Sequence, residues 1–240
     1  PVAGLLPLLA ARLVPGEERE QEEMRLKFLD KRILETPSIA VAQIMNEVGR
    51  MGDIAQKNFE EAMDIVLTKD ESKIKDVKQR EEVLNYLNQE ITSYLIQANG
   101  LELPEKDLKL IGGLFHVIND IERIGDHAEN IIEYAEYLIE HDLTMSDTAV
   151  EELTFMKDKV KDVVNNTIKA MKTGDRALAR EIRDQEAEID ELERTLRDNH
   201  IDRLNKQLCQ PSCSVVFLDI INNLERISDH SDNIARFVLD

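Results

Sequence analysis

The sequence predicts an all-α fold of two tandem three-helix bundles, six long helices in all. Three observations support it: few helix breakers, five apolar stripes at helical spacing with a turn into a sixth helix, and a motif that occurs twice. Six prolines and nine glycines punctuate 240 residues, tryptophan is absent, and Leu, Ile, Glu, Lys, Asp and Arg dominate. Leu, Glu, Lys and Arg lose little side-chain freedom in a helix, so with few breakers the composition favours helix over sheet. A hydrophobic content of 42% is enough for a sizeable core, in one domain or two.

The first helix is expected from Thr36-Pro37, with Thr36 as cap and proline in the first turn, where its missing N–H costs nothing. Val41, Ile44, Met45, Val48, Met51, Ala55, Phe59, Ala62, Met63 and Val66 then recur at spacings of three and four, until Thr68-Lys69-Asp70 breaks the stripe. A second stripe runs through Ile74, Val77, Leu84, Leu87, Ile91, Leu95 and Ala98 to Gly100, with Pro104 beyond. The third helix spans about Glu105 to Glu140, with Val117, Ile121, Ile124, Ala128, Ile131 and Ala135 inward. Thr148, with Glu151 three residues on, resembles a capping box, and Leu153, Met156, Val160, Val163 and Met171 carry a fourth stripe to Gly174. The fifth passes through Leu178, Ile182, Ile189, Leu192, Leu196, Leu204 and Leu208, and Pro211 marks the turn into the sixth. The units are therefore residues 36–141 and 142–240, preceded by a 1–35 segment.

That leading segment is apolar from Pro1 to Pro15 apart from Arg12, and then densely charged from Glu17 to Lys31. A membrane-spanning helix needs roughly 20 apolar residues, so the first part cannot span alone, and it lacks the basic leader of a secretory signal. It reads as a short hydrophobic helix packed on the body or as the end of a membrane domain. A start at Pro1 rather than Met fits a chain that is processed or part of something longer. The charged part reads as a solvated helix or linker.

A formal charge of −19 repels nucleic acid and anionic lipid over most of the surface and attracts cations. Nucleic acid is thus not an expected partner. Cys209 and Cys213 flank a Gln-Pro-Ser turn and read as a reduced pair without assigned chemistry.

The repeat is explicit. Ile121-Glu-Arg-Ile-Gly-Asp-His-Ala-Glu-Asn130 aligns without gaps on Leu224-Glu-Arg-Ile-Ser-Asp-His-Ser-Asp-Asn233, 103 residues later. Upstream, Glu81-x-x-Leu84-Asn85-x-Leu87 precedes Glu186-x-x-Ile189-Asp190-x-Leu192 by 105, and Met51-x-Asp53 likewise precedes Met156-x-Asp158. Near-constant spacing over three segments argues for duplication.

Residues four apart on a helix sit about 40° apart around its axis, so Glu122 and Asp126 present two carboxylates side by side, as do Glu225 and Asp229. With Ile121 in the core, Asn119, Glu122, Asp126, Glu129 and Glu133 are expected on the far side, matched by Asn222, Glu225, Asp229 and Asp232. Stacked like charges are unfavourable on an isolated helix, and a bound cation would offset that. Carboxylates and amides are hard ligands suited to magnesium, calcium, manganese or iron, and Glu186 with Asp190 could add ligands from the fifth helix. A solvated acidic face, neutralised locally by Arg123 and Arg226, is the other reading of the same residues.

His127 and His230 lie beside these acids but point about 100° away, as structural or interfacial hydrogen-bonding residues rather than ligands. Gly112-Gly113 reads as a close helix contact. The Glu-x-x-His pair of a ferritin-like oxidase, a Gly-rich phosphate loop, a Gly-x-Ser-x-Gly elbow and a His-Glu-x-x-His signature do not occur. A non-enzyme is expected.

Asn119-Asp-Ile-Glu-Arg-Ile-Gly-Asp-His-Ala-Glu-Asn130 and its copy Asn222 to Asn233 resemble the signature of the PhoU family. The likeness spans roughly Thr36 to Asp240 and implies two three-helix bundles related by a pseudo-twofold axis. It also implies a multinuclear metal site, iron among other hard cations, on Glu122, Asp126, Glu225 and Asp229, with Glu186 and Asp190 matching an additional acidic pair. The first half departs from that pattern, with Glu81 and Asn85 in the equivalent places. Phe28-Leu-Asp-Lys-Arg-Ile-Leu-Glu-Thr-Pro-Ser-Ile-Ala40 is similar to the junction between the membrane domain of a sodium/phosphate cotransporter and its PhoU-like tail.

The resemblance implies a non-catalytic regulatory domain on the cytoplasmic side of the bacterial inner membrane, within a membrane protein. Its partner would be the transporter domain of the same parent chain, with sodium and phosphate as the parent's substrates, and self-association into a homo-oligomer is a further arrangement. A free-standing PhoU-type phosphate-signalling regulator is the nearest alternative, and a carboxylate-bridged metalloenzyme is the alternative of a different class.

Overall fold

A computed structural model describes residues 24–30, 32, 34 and 36–240 of the chain. Its helices are α1 (Pro37–Thr68), α2 (Ile74–Asn99), α3 (Glu105–Glu140), α4 (Asp147–Thr173), α5 (Arg176–Asn205) and α6 (Pro211–Leu239), with a 3-10 turn at Glu71–Lys73. Helices α1, α2 and α3 pack on one another, as do α4, α5 and α6. The two triplets meet through α3 on α6 and α1 on α4, so each element pairs with its own equivalent. The expected all-α architecture and six helices are present, and the described residues contain no strand.

Most stripe residues are core. Ile44, Val48, Met51, Ala55, Phe59, Ala62, Met63 and Val66 of α1 are buried, and so are all six inward positions named for α3 and all five named for α4. Their cluster runs unbroken from one triplet into the other. Burying apolar surface contributes about 25 cal/mol per Å², and here one continuous core draws on both repeats.

Several local expectations change. Thr36 makes no side-chain cap; its carbonyl instead accepts from the Ile39 and Ala40 amides. Gly100 ends α2 with φ −83, an ordinary right-handed turn, whereas Gly174 closes α4 at φ 66, where only glycine is unstrained. Ser146, not Thr148, caps α4 by accepting from the Ala149 amide at 3.3 Å; Thr148 lies inside the first turn. Leu208 lies beyond the end of α5 and is exposed, because the helix closes at Asn205 and Gln207 turns the chain at φ 57.

The expectation for Pro1 to Pro15 lies outside the described residues. Residues 24–30 of the charged stretch are irregular rather than helical, and they are fastened to α1. Glu47, fully buried, accepts from the amides of Lys27 at 2.8 Å and Phe28 at 2.7 Å while holding Arg50 at 2.6 Å. Arg50 in turn donates to the Arg25 carbonyl at 2.7 Å, and the Tyr94 hydroxyl donates to the Asp30 carbonyl at 3.1 Å. Among the described residues no helix is long and apolar enough to cross a membrane.

Along α1 and α4, Lys172, Lys161 and Lys157 pair with Asp53 at 2.5 Å, Glu60 at 2.8 Å and Asp64 at 3.1 Å. Gly52 lets the helices close: a Cβ there would stand 3.3 Å from Ile168 Cγ1. Gly113 does the same at the α3–α6 crossing, since a Cβ would lie 2.6 Å from the Phe237 ring. Gly112, by contrast, faces open space, so only one of the two glycines serves the close packing expected of both.

Candidate functional site

The duplicated motif builds two acid-lined crevices, one in each bundle. In the first, Glu122, Asp126 and Glu129 of α3 face Glu81 of α2 and are half-buried rather than on the far, solvated side. Glu81 itself is 2% exposed. Gly125 allows this, because a Cβ there would meet both Glu81 Oε2 and Leu84 Cδ1 at 2.6 Å. Burial, and then the charges of Asp126, Glu129 and Glu122, push the Glu81 carboxyl up to about 8. Its Oε2 is buried without a hydrogen-bond partner, and Asn85 donates to Oε1 at 3.4 Å. Burial followed by Asp126 also raises Glu122.

In the second crevice, Glu186 and Asp190 of α5 face Glu225 and Asp229 of α6. One oxygen each from Glu186, Asp190 and Asp229 lies within 4.8 Å of the other two. Two ligands on opposite sides of a cation bound at 2.0–2.6 Å stand about 4–5 Å apart, so the cluster has the dimensions of a hard-cation site. Asp190 Oδ1 is buried without a partner. Burial, and then Asp190, Asp232 and Asp229, push the Glu186 carboxyl up to about 7, and burial followed by Asp190 raises Asp229. Burial followed by Asp229 likewise raises Glu225, which stands outside the tight triad.

Of the six acids expected as ligands, the structure therefore gathers Glu186, Asp190 and Asp229 most closely. Glu122 and Asp126 share the other crevice with Glu81, a carboxylate not among the expected ligands. The signal was present in its 105-residue offset from Glu186. Asp232 also corrects the expectation that these acids avoid the core: it is 3% exposed, and Arg236 at 2.6 Å and Arg183 at 3.3 Å take up its charge. Arg123 stands 3.4 Å from Asp126, and Arg226 stands 3.5 Å from Asp229, so local neutralisation is the same in both halves.

Between the crevices, His127 and His230 stack with ring centroids 5.5 Å apart where α3 crosses α6. His127 Nδ1 lies 2.8 Å from Asn223 Oδ1, and Asn130 donates to the same oxygen at 3.3 Å. The mirror arrangement places His230 Nδ1 at 2.9 Å from Asp120 Oδ1, with Asn233 donating at 3.1 Å. Asp120 and Asn223 are themselves 103 residues apart, so each bundle grips the same position of the other. The interfacial role expected for both histidines is what this geometry displays.

Cys209 and Cys213 are free; Cys213 is buried in the first turn of α6, with its thiol 3.5 Å from the Thr144 carbonyl.

The family model described as PhoU domain matches residues 48–135 and 153–238, one match per bundle. A phosphate-specific transport system accessory protein PhoU homolog of Clostridium acetobutylicum is 23% identical over 198 residues, covering 80% of this chain and 88% of that protein. A Salmonella typhimurium protein, YjbB, named for inorganic phosphate export, is 24% identical over 242 residues, covering 100% of this chain but 44% of that protein. The crystal structure of PhoU from Pseudomonas aeruginosa superposes with a TM-score of 0.80 at 22% identity, over 84% of this chain and 96% of that one, which establishes the shared fold. With both repeats matched, this chain belongs to the PhoU family.

Proposed function

We propose that the chain is a PhoU-type, non-catalytic regulator of phosphate transport whose two crevices take up hard cations. The observation that carries the cation part is the oxygen triad of Glu186, Asp190 and Asp229, with a buried, partnerless Asp190 oxygen between helices. An all-oxygen donor set fits magnesium, calcium, manganese or iron. Glu186, Asp190 and Asp229, with Glu225 adjoining, would hold the ion in the second half, and Glu81, Glu122 and Asp126 in the first. A cation would neutralise carboxylates that now repel one another, and so tie α5 to α6 and α2 to α3. Regulation is supported by relatives named as accessory proteins of phosphate transport, which this chain matches over most of their length.

A second reading has its own observation. The match to YjbB takes in the whole of this chain and less than half of that protein, as it would if this were a domain carried on a phosphate-moving membrane protein at its cytoplasmic face. The accessory-protein relatives favour the free-standing form; the sodium coupling rests on the junction resemblance alone. Elemental analysis of the purified chain and phosphate flux in the host, for wild type and for Glu186→Gln/Asp229→Asn, test the proposal. Bound metal that falls with the variant, together with altered flux, is expected. Unchanged metal content and unchanged flux would remove the reading, and turnover by the iron-loaded protein would move it to an enzyme.

A further inference from the structure

A groove of about 420 Å³ runs between α4 and α5, and none of the crevice carboxylates is in its wall. Phe155, Asp158, Lys159 and Asp162 line it from successive turns of α4, and Glu188 and Ile189 line it from α5. Ile189 is fully buried beneath, whereas the Phe155 side chain is 54% exposed. The wall holds three carboxylates against one ammonium, and that ammonium is engaged: Lys159 pairs with Glu188 at 2.9 Å and stands 5.8 Å from the centroid of the Phe155 ring. Asp158 and Asp162 are exposed and make no hydrogen bond or ion pair among the described residues. Lys161, which feels the charge of Asp158, is held by Glu60 at 2.8 Å.

The first bundle shows what fills the same seam when the occupant belongs to the chain. Residues 24–30 are bonded to Glu47 and Arg50 of α1 and to Tyr94 of α2, and Leu29 is buried beneath them. Most of those bonds use the backbone of the strap, a mode of holding that suits any extended segment. Further along, Arg80 of α2 closes the seam by donating to Asn58 at 2.7 Å and pairing with Glu61. At the 105-residue offset, Phe155 takes the place of Arg50 and Gln185 the place of Arg80. Neither device is present in the second bundle, where Phe155 stays exposed and Gln185 Oε1 has no partner. Glu152, the counterpart of Glu47, is taken by Arg203 of α5 at 2.6 and 2.8 Å, so the groove is closed at that end and open from Phe155 to Asp162.

The strap reads Met24-Arg-Leu-Lys-Phe-Leu-Asp30, with apolar and basic residues alternating through Phe28. Such a segment complements the open groove. An aromatic face attracts a guanidinium or ammonium, and unpaired carboxylates accept its N–H groups.

We propose that the α4–α5 groove is the docking site of a partner protein, which lays along it an extended segment of alternating apolar and basic residues, a basic side chain over Phe155 and against Asp158 and Asp162. This surface goes beyond the regulatory reading and does not rest on the cation sites.

A fluorescein-labelled peptide of residues 24–34, the chain's own segment of that pattern, is titrated into the full chain with chelator present and followed by fluorescence anisotropy. Saturable one-to-one binding that weakens with added salt is expected, and the same peptide with its Arg and Lys replaced by Glu does not bind. Asp158→Asn/Asp162→Asn weakens binding about fivefold and Phe155→Ala about tenfold. All three positions are exposed, so both variants keep the helical circular dichroism of wild type. The proposal falls if the peptide does not saturate. It falls if either variant binds as tightly as wild type, the result expected of exchange with the strap over α1 and α2. It falls too if wild type sediments as a dimer that Phe155→Ala dissociates, which would give the groove to a second copy.

Discussion

Replacing Glu81 by glutamine should make the metal-stripped protein more stable at alkaline pH, and by an amount that grows with pH. The carboxyl sits near 4.5 when the chain is unfolded and near 8 in the fold, because burial and three neighbouring acids oppose its ionisation. Its folded value lies above the unfolded one, so its contribution is complete below the unfolded value and is lost as pH rises through the folded value. Between those limits the unfolded chain has shed a proton that the folded chain retains, and each pH unit costs about 1.4 kcal/mol. Integrated, the cost is about 2 kcal/mol near pH 6 and about 5 kcal/mol near pH 9, a growth of roughly 2–3 kcal/mol. Glutamine has the same shape and no charge, so Glu81→Gln removes that growth. Glu186, also raised, titrates in both proteins and cancels from the difference. Urea unfolding followed by helical circular dichroism, with chelator present, measures the gap between variant and wild type at the two pH values. A gap that stays constant to within about 0.5 kcal/mol, or narrows on raising the pH, would refute the argument that Glu81 is held protonated by its surroundings.

Other substitutions probe the packing that places the sites. Gly125→Ala pushes a methyl group into Glu81 and Leu84 and should destabilise by about 1–3 kcal/mol, whereas Gly112→Ala, facing open space on the same helix, should stabilise by about 0.5–1 kcal/mol; thermal unfolding distinguishes the two signs. In double-mutant cycles across the seam, His127→Ala with Asn223→Ala should show coupling of about 0.5–1.5 kcal/mol, and His230→Ala with Asp120→Ala about 1.5–3 kcal/mol, because the second pair includes a carboxylate. Glu47→Ala leaves two amides without their acceptor and removes the carboxylate paired with Arg50, which keeps the Arg25 carbonyl, so it should cost about 2–4 kcal/mol and speed proteolytic cleavage around residues 24–30.

The helices were legible because their apolar stripes repeat over many turns: α1 and α3 begin and end where the pattern does. Caps were less so, since Thr36 and Gly100 carry the favoured residue types without the favoured conformations; neighbouring backbone satisfies those ends instead. Glu122 and Asp126 were expected on the solvated side away from the core, and their burial against a second helix was not foreseen. A helical wheel ranks residues around one axis and is blind to a second helix closing over them, as α2 does over Glu122. Glu81 was missed for the same reason, and because its partner Asn85 broke the acidic pattern.

The crossed grip of the two histidines has a consequence for how the crevices communicate. His127 follows Asp126 directly and holds Asn223, two residues ahead of Glu225; His230 follows Asp229 and holds Asp120, two residues ahead of Glu122. Each imidazole is rooted in one crevice and clasps the backbone rod that bears the other, like two people holding each other's wrists. The two crevices therefore share one hydrogen-bonded seam, and a cation taken up in either, as proposed, would bear on the helix of the other within a single turn.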